Sequence, residues 1–271
     1  MQMPITTRRF RAIIWAYYSH NGRKMPWRRT RDPYRIVVSE IMLQQTQVSR
    51  VLKFYPNFIK RFPTFQALAH ARTADVLRVW QGLGYNRRAL ALQRLSRIVL
   101  EKFNGKLPHE REALVSLSGI GEATAGSIRA FAWNEPEIFI ETNIRRVFIH
   151  FFFPRQSKVT DAALARYIKC ALPRADSREW YWALMDYGAM LGAAAATKSG
   201  TVNPNQRSAH YKKQSPFSGS DRELRGKVLR FLTQRRKISF RALAKEVKAP
   251  VRKVRAIAAT LVKEGFINIK Q

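Results

Sequence analysis

Two carboxylates stand where this sequence could do chemistry. Glu40 lies inside the largely apolar run from Val37 to Leu43, and Glu141 follows Ile138-Phe139-Ile140 and precedes Asn143. On a helix, Glu40, Gln44 and Gln47 share one face by their i, i+4, i+7 spacing, a polar stripe in a segment otherwise fit for a core. An acid lining a pocket there is desolvated, its pKa rises, and it suits general acid–base work. A satisfied structural acid among Val37, Val38 and Ile41 is the alternative. Glu141 also has a structural reading, in which Thr142 or Asn143 caps a helix from Ile144 onward and Glu141 favours the positive end of its dipole. Capping and catalysis are compatible, because a capped helix start holds an acid rigidly.

Between them lies Leu117-Ser118-Gly119-Ile120-Gly121-Glu122-Ala123. Two glycines two positions apart, after an apolar helix end and before a small-residue helix, let a tight turn bring backbone amides up to an anion. Such a hairpin holds a phosphate by unpaired N–H groups and the helix dipole, without reading bases.

These positions need helices to hold them, and the apolar spacing predicts helices along most of the chain. They fall at 8–20, as two helices between Tyr34 and Phe62 with Pro56 as a break or kink, as a short pair over 64–80, and at 87–103, 112–117, 123–131, 144–153, 161–172 and 178–191. The helix at 87–103 is basic and amphipathic, its basic face fit for solvent or for DNA. Residues 198–220 lack apolar periodicity and read as a loop or linker. Beyond it come helices at 222–231, 240–247 and 251–264, then Phe266-Ile267-Asn268-Ile269 as a short strand. That order suits a small helix-turn-helix or winged-helix module with Arg252, Lys253 and Arg255 on its last helix; a helical extension that only packs on the first domain is the alternative.

The 271 residues carry 50 Lys+Arg against 18 Asp+Glu, a net charge of +32 with a pI near 11.3. That excess is stable mainly beside a polyanion, and nucleic acid is the first candidate. From Lys198 onward the net charge is +15 and before it +17, so both parts are expected to touch the polyanion. No apolar run reaches the roughly 18 residues that span a bilayer. The N-terminus has no apolar signal core, so the expectation is a soluble intracellular, cytoplasmic protein without a membrane partner. Cys170 is the only cysteine. It excludes an intrachain disulfide, and its apolar surroundings predict a buried, inert thiol.

Several runs resemble the adenine DNA glycosylase branch of the helix-hairpin-helix, endonuclease III-like glycosylase superfamily. They are Met25-Pro26-Trp27-Arg28, the stretch from Pro33 to Val48, Gly82-Leu83-Gly84-Tyr85, the hairpin and the segment from Ala183 to Met190. The resemblance covers about residues 8–192 in order. It implies that Glu40 is the acid that protonates the adenine ring nitrogen and helps to activate water. It further implies that Glu141 stands where the superfamily has an aspartate stabilising an oxocarbenium ion, with Asn143 the helix-start asparagine beside it. Gln45 and Tyr85 match residues that enter the DNA stack, and Leu117, Gly119 and Gly121 match the phosphate grip.

Four departures bear on the expected activity. Glu141 replaces an aspartate, which puts the carboxylate one methylene further out. Ala123 stands where bifunctional lyases carry a lysine nucleophile, so no Schiff base forms there. The four-cysteine loop of the iron-sulfur cluster is missing, so no cofactor or metal is expected, and any DNA contact at that loop falls to Lys198, Arg207, His210, Lys212 and Lys213. The family's C-terminal domain, which recognises 8-oxoguanine opposite the adenine, does not appear after residue 220.

The reading is thus an all-α protein. A helix-hairpin-helix glycosylase domain of two helical lobes spans 1–197, a basic linker or loop 198–220, and a basic winged-helix-like module 221–271. The expected activity is monofunctional removal of a base from double-stranded DNA holding a mispaired or damaged base, adenine first. The alternatives are a related glycosylase for thymine, uracil or a deaminated purine, and a non-catalytic damage-binding protein.

Overall fold

The computed structural model describes residues 5–197, 202–212, 219–234 and 238–267. The regular elements among them are helices: α1 Thr7–Asn21, α2 Pro33–Leu43, α3 Val48–Arg61, α4 Phe65–His70, α5 Thr73–Trp80, α6 Arg87–Phe103, α7 Arg111–Val115 and α8 Glu122–Trp133. They continue with α9 Thr142–Phe152, α10 Asp161–Ala171, α11 Ser177–Thr197, α12 Asp221–Gln234, α13 Phe240–Glu246 and α14 Val251–Lys263. Among the described residues β pairing is limited to one bridge, Val159 with Ser208. The all-α reading therefore holds. Of the expected final strand, Asn268 and Ile269 lie outside the described residues, and Phe266 is a buried residue in a bend.

Local chemistry sets the helix starts. Thr6, Thr64, Thr160 and Ser239 each accept the N–H three residues on, and Asp32 Oδ1 accepts from Tyr34 N at 2.9 Å ahead of Pro33 at the first helical position. Gln44 to Thr46 form a turn and Gln47 caps α3, so the expected stripe of Glu40, Gln44 and Gln47 is not one helical face. Pro56 neither breaks nor ends α3, which runs through it. Both Pro56 and Leu52, whose carbonyl loses its partner, are exposed, so water can replace the missing N–H. α11 runs on to Thr197, one and a half turns beyond the expected end.

The chain divides into two compact units. The first holds the described residues of Met1–Val37, His109–Val115 and Ile120–Lys213, and the second those of Val38–Pro108, Ser116–Gly119 and Gln214–Gln271. In the first unit the core is aromatic. Phe10 of α1 meets Phe148, Phe151, Phe152 and Trp180 at 5.0 to 5.8 Å between ring centroids, mostly edge to face. In the second, Ile41 and Met42 of α2, Phe58 of α3, Leu68 of α4, Trp80 of α5, and Leu92 and Leu95 of α6 are fully buried. The same unit includes α12 to α14, with Val228, Leu243, Val254 and Leu261 buried. Gln81 Nε2 donates to Thr233 Oγ1 at 3.1 Å, and Arg87 grips Glu264 through two bonds of 2.8 and 2.9 Å, so this module is fastened to α5 and α6 as well as to itself.

One buried ion pair ties the first unit together. Asp186 on α11 takes two bonds from the Arg28 guanidinium (2.7 and 2.8 Å), one from Arg23 Nε (2.7 Å) and one from Arg23 N (2.8 Å). Burial alone would raise this carboxyl. The bonds and charge of Arg28, joined by those of Arg23, outweigh it and hold Asp186 below the usual carboxylate range. A depressed carboxyl contributes stability above its unfolded pKa of about 3.9, and that contribution is lost as the pH falls through the folded value. Asp186→Asn is therefore expected to cost about 3 kcal/mol near neutral pH, since it leaves Arg28 buried without its partner. Urea melts of both proteins should converge as the pH drops below that of the unfolded carboxyl. A deficit unchanged with pH would disprove the ionic origin.

Candidate active site

The second unit carries the first carboxylate. Glu40 sits half-buried on the last turn of α2, beside the buried Ile41 and Met42. The chain then turns at Gln45, which is exposed and holds a left-handed backbone with φ 52°. Tyr85, at the end of the Gly82-Leu83-Gly84-Tyr85 loop, is also left-handed (φ 46°) and 43% exposed, unusual for a large aromatic side chain. Both expected stack-entering residues thus project from strained loop positions.

A residue absent from the sequence reading joins these two loops. Arg88, 8% exposed on the first turn of α6, sends Nη1 to the carbonyls of Ile41 (2.9 Å), Met42 (2.7 Å) and Gln44 (2.5 Å). Its Nη2 reaches Thr46 Oγ1 (2.9 Å), Gly84 O (3.1 Å) and Leu83 O (3.3 Å). Its guanidinium carbon lies 5.5 Å from the ring centres of both Trp80 and Tyr85. Burial pulls the guanidinium down to about 10, so it stays charged at neutral pH. The signal was present in the sequence: Arg88 shares the apolar stripe of α6 with Leu92, Leu95 and Val99.

The hairpin adopts the tight turn expected of it. Gly119 has φ 87°, a backbone that favours glycine, and a Cβ there would stand a tight 3.0 Å from Ala91 Cβ. Gln44 Nε2 donates to its carbonyl at 3.1 Å, tying the turn after α2 to the hairpin. Leu117 is buried at 2% exposure and anchors the turn, leaving its backbone as the part able to meet a ligand. Gly121 caps α8 with extended backbone, and Gly121, Glu122 and Ala123 are exposed.

The first unit carries the second carboxylate. Glu141 itself is the N-cap of α9; the expected cap at Thr142 or Asn143 is one or two residues late, because the Glu141 carboxylate accepts the N–H groups two and three residues on. Its Oε1 accepts from Asn143 N and Ile144 N, both at 2.8 Å, and among the described residues its Oε2 takes Asn143 Nδ2 alone, at 3.3 Å. Burial pushes the carboxyl up, against the pull of those two N–H groups and of the Arg146 and Arg145 charges. Asn143 is oriented in turn: Arg146 Nη1 donates to Asn143 Oδ1 (2.8 Å) and Gly188 O (2.6 Å), and Arg146 Nε to Asn203 Oδ1 (3.1 Å). A Cβ at Gly188 would lie 2.4 Å from Asn143 O, so α9 and α11 meet backbone to backbone there.

Residues 202–212, within the expected loop or linker, bond to the first unit. Pro204–Arg207 form a 3-10 turn, Asn205 Nδ2 donates to Thr142 O at 3.0 Å, and Arg207 bonds the carbonyls of Pro154 and Ile149. Of the cations named for a DNA contact here, Arg207 is thus committed to the backbone, His210 and Lys212 are exposed, and Lys198 and Lys213 lie outside the described residues. On α14, Arg252, Lys253 and Arg255 are all exposed; Lys253 pairs with Asp221 at 2.6 Å, and Arg255 lies over the Phe240 ring. Cys170, expected buried, is exposed: α10 buries Leu164, Ile168 and Ala171, and Cys170 falls off that stripe.

Residues 38–170 match the HhH-GPD superfamily base excision DNA repair protein family. An adenine DNA glycosylase of Buchnera aphidicola subsp. Baizongia pistaciae is 37% identical over 189 residues, 69% of this chain and 54% of that protein. This chain therefore spans about half the length of that relative. A thymine/uracil-DNA glycosylase of Pyrobaculum aerophilum is 30% identical over 197 residues, 70% of this chain and 86% of the other. Among solved structures, a thermostable thymine-DNA glycosylase superposes with a TM-score of 0.62 at 24% identity, covering 76% of this chain and 96% of its own, a likeness of fold. With its hairpin, its two carboxylates at helix ends and these relatives, the chain belongs to the HhH-GPD superfamily of base excision DNA repair proteins.

Proposed function

We propose that this protein is a monofunctional DNA glycosylase working inside the cell on double-stranded DNA, and that mispaired adenine is its first substrate. The observation that carries the reading is Glu141. Its carboxyl is fixed by its own helix start and, among the described residues, makes no salt bridge, so in its ionised form it can face a cation developing on the sugar. Glu40 gives a proton to the departing base, the glycosidic electrons leave with that base, and Glu141 stabilises the oxocarbenium ion. Water then adds to the sugar and returns its proton to Glu40, leaving an abasic site. Ala123 on the exposed first turn of α8 offers no amine, which favours hydrolysis without strand cleavage.

Adenine is favoured by the run around Glu40 and by the 37% identical relative; the thymine/uracil relative supports a mismatch pyrimidine as second reading. The residues present do not fit an iron-sulfur cluster, which needs four thiolates where this sequence has Cys170 alone. We propose that the protein works without one. Gln45 and Tyr85 enter the stack as the target nucleotide turns out, the hairpin holds a phosphate, and α14 adds a further phosphate contact through Arg252, Lys253 and Arg255.

Incubation with duplexes holding A:8-oxoguanine, A:G, T:G, U:G or hypoxanthine, followed by alkali, should break the adenine strand. Breaks confined to T:G or U:G would transfer the assignment to the second reading, and breaks without alkali would contradict hydrolysis alone. Glu40→Gln is expected to bind DNA and lose base release by roughly a hundredfold or more, the usual weight of a general acid. Near-normal turnover would remove Glu40 from that role. Replacing Arg252, Lys253 and Arg255 by Gln should lower the salt dependence of binding by roughly 0.9 in slope for each phosphate no longer neutralised. An unchanged slope would take α14 off the DNA.

A further inference from the structure

We infer that Arg88 is a positioning residue for base extrusion: it locks the turn bearing Gln45 and the loop bearing Tyr85 to one buried cation, so that both side chains are presented to the DNA stack already ordered. This rests on the reading of Gln45 and Tyr85 as stack-entering residues. Three observations carry it. The guanidinium contacts both loops, through Gln44 O and Thr46 Oγ1 on one and Leu83 O and Gly84 O on the other. Each loop displays an exposed side chain from a left-handed backbone, a conformation that persists only where surroundings over-determine it. The acceptors of Arg88 are carbonyls and a hydroxyl, so any shift of either loop strips bonds from a buried charge that has no carboxylate partner among the described residues.

A role confined to holding the C-terminus of α2 would need only the carbonyls of Ile41, Met42 and Gln44. It would leave unexplained the second set, on the loop before α6, and the placement of the cation 5.5 Å from the Tyr85 ring. Lysine cannot reproduce the arrangement, since a single ammonium offers three donors from one point where Arg88 spreads its bonds from two nitrogens over six acceptors. Insertion into a stack costs most when the inserted group must first be ordered, and Arg88 has done that ordering before DNA arrives.

The test is a mutant cycle read by 2-aminopurine fluorescence beside the target base, which rises on unstacking, together with single-turnover base release. Arg88→Lys keeps the charge, so affinity for undamaged duplex should stay within about threefold. Unstacking and base release should fall by about tenfold or more, the weight of one broken charge-assisted hydrogen bond. In a Gln45→Ala, Tyr85→Ala background the same change should cost less than about threefold, because the residues through which Arg88 acts are gone. An equal loss in both backgrounds, or no loss in the first, overturns the proposal. If Arg88→Lys does not fold, Thr46→Val decides: it removes one acceptor and leaves Arg88 in place, and should slow unstacking in the native background only. Wild-type protein that unstacks DNA but releases no base would sink the glycosylase reading while leaving the Arg88 cycle interpretable.

Discussion

Many short helices leave many orphan carbonyls, and this protein answers that constraint with arginine. Each helix ends in up to four C=O groups without an intrahelical partner, at the negative end of its dipole. Arg88 takes the carbonyls that end α2, Arg97 reaches Ala69 of α4, and Arg178 holds Phe131 and Ala132 at the end of α8. Arg207 does the same for Ile149 of α9, and Arg11 for Cys170 and Ala171 of α10. In each case the guanidinium comes from a distant part of the chain, so one side chain both finishes a helix and fixes its end against another element. A planar fork with five donors suits this task, where an ammonium on a flexible stem would not.

At the start of α9 the signs are reversed and the logic is the same. Glu141 accepts the first free N–H groups of that helix, and the helix in turn holds the carboxylate still. One oxygen does the capping and the other keeps a single long contact with Asn143, which divides the group into an anchored half and an available half. The glutamate caps α9 at the position where the family resemblance implies an aspartate. It reaches both N–H groups while α9 and α11 stay in backbone contact at Gly188. The acid is therefore positioned by ordinary helix capping, reinforced through Arg146 and Asn203.

Much of this was legible in the sequence. Periodicity located the helices, because each has an apolar stripe and several have a Thr, Ser or Asp cap in front of them. Glu40 and the hairpin glycines stood out because their residue types break the local pattern. Misreadings came from taking each segment alone. A polar stripe through Glu40, Gln44 and Gln47 assumes a helix that in fact ends at Leu43, and a buried thiol at Cys170 follows from its neighbours in sequence but not from its angle on α10. Arg146 does not stand out in the sequence because arginine is ordinarily a surface residue, and Arg88 is marked there only by its place on the apolar stripe of α6. Their partners lie up to 57 residues away in sequence, beyond what spacing can reveal.

The same use of arginine changes what the net charge of +32 means. A guanidinium bonded to carbonyls keeps its full charge, whereas one paired with a carboxylate loses it to the pair. Carboxylates are few here, and several are engaged by arginine: Asp186 with Arg23 and Arg28, Asp161 with Arg145, Glu137 with Arg111 and Arg129, Glu264 with Arg87 and Arg225. Part of the surplus positive charge thus serves the needs of helix ends. It still sums into the field outside the protein, because that field depends on charge and position and not on what a side chain is bonded to. Architecture and attraction to a polyanion are then one property of the sequence. Exchanging a helix-end arginine for a neutral residue would weaken the fold locally and the field everywhere, which is why a charge-conserving substitution is the informative one at Arg88.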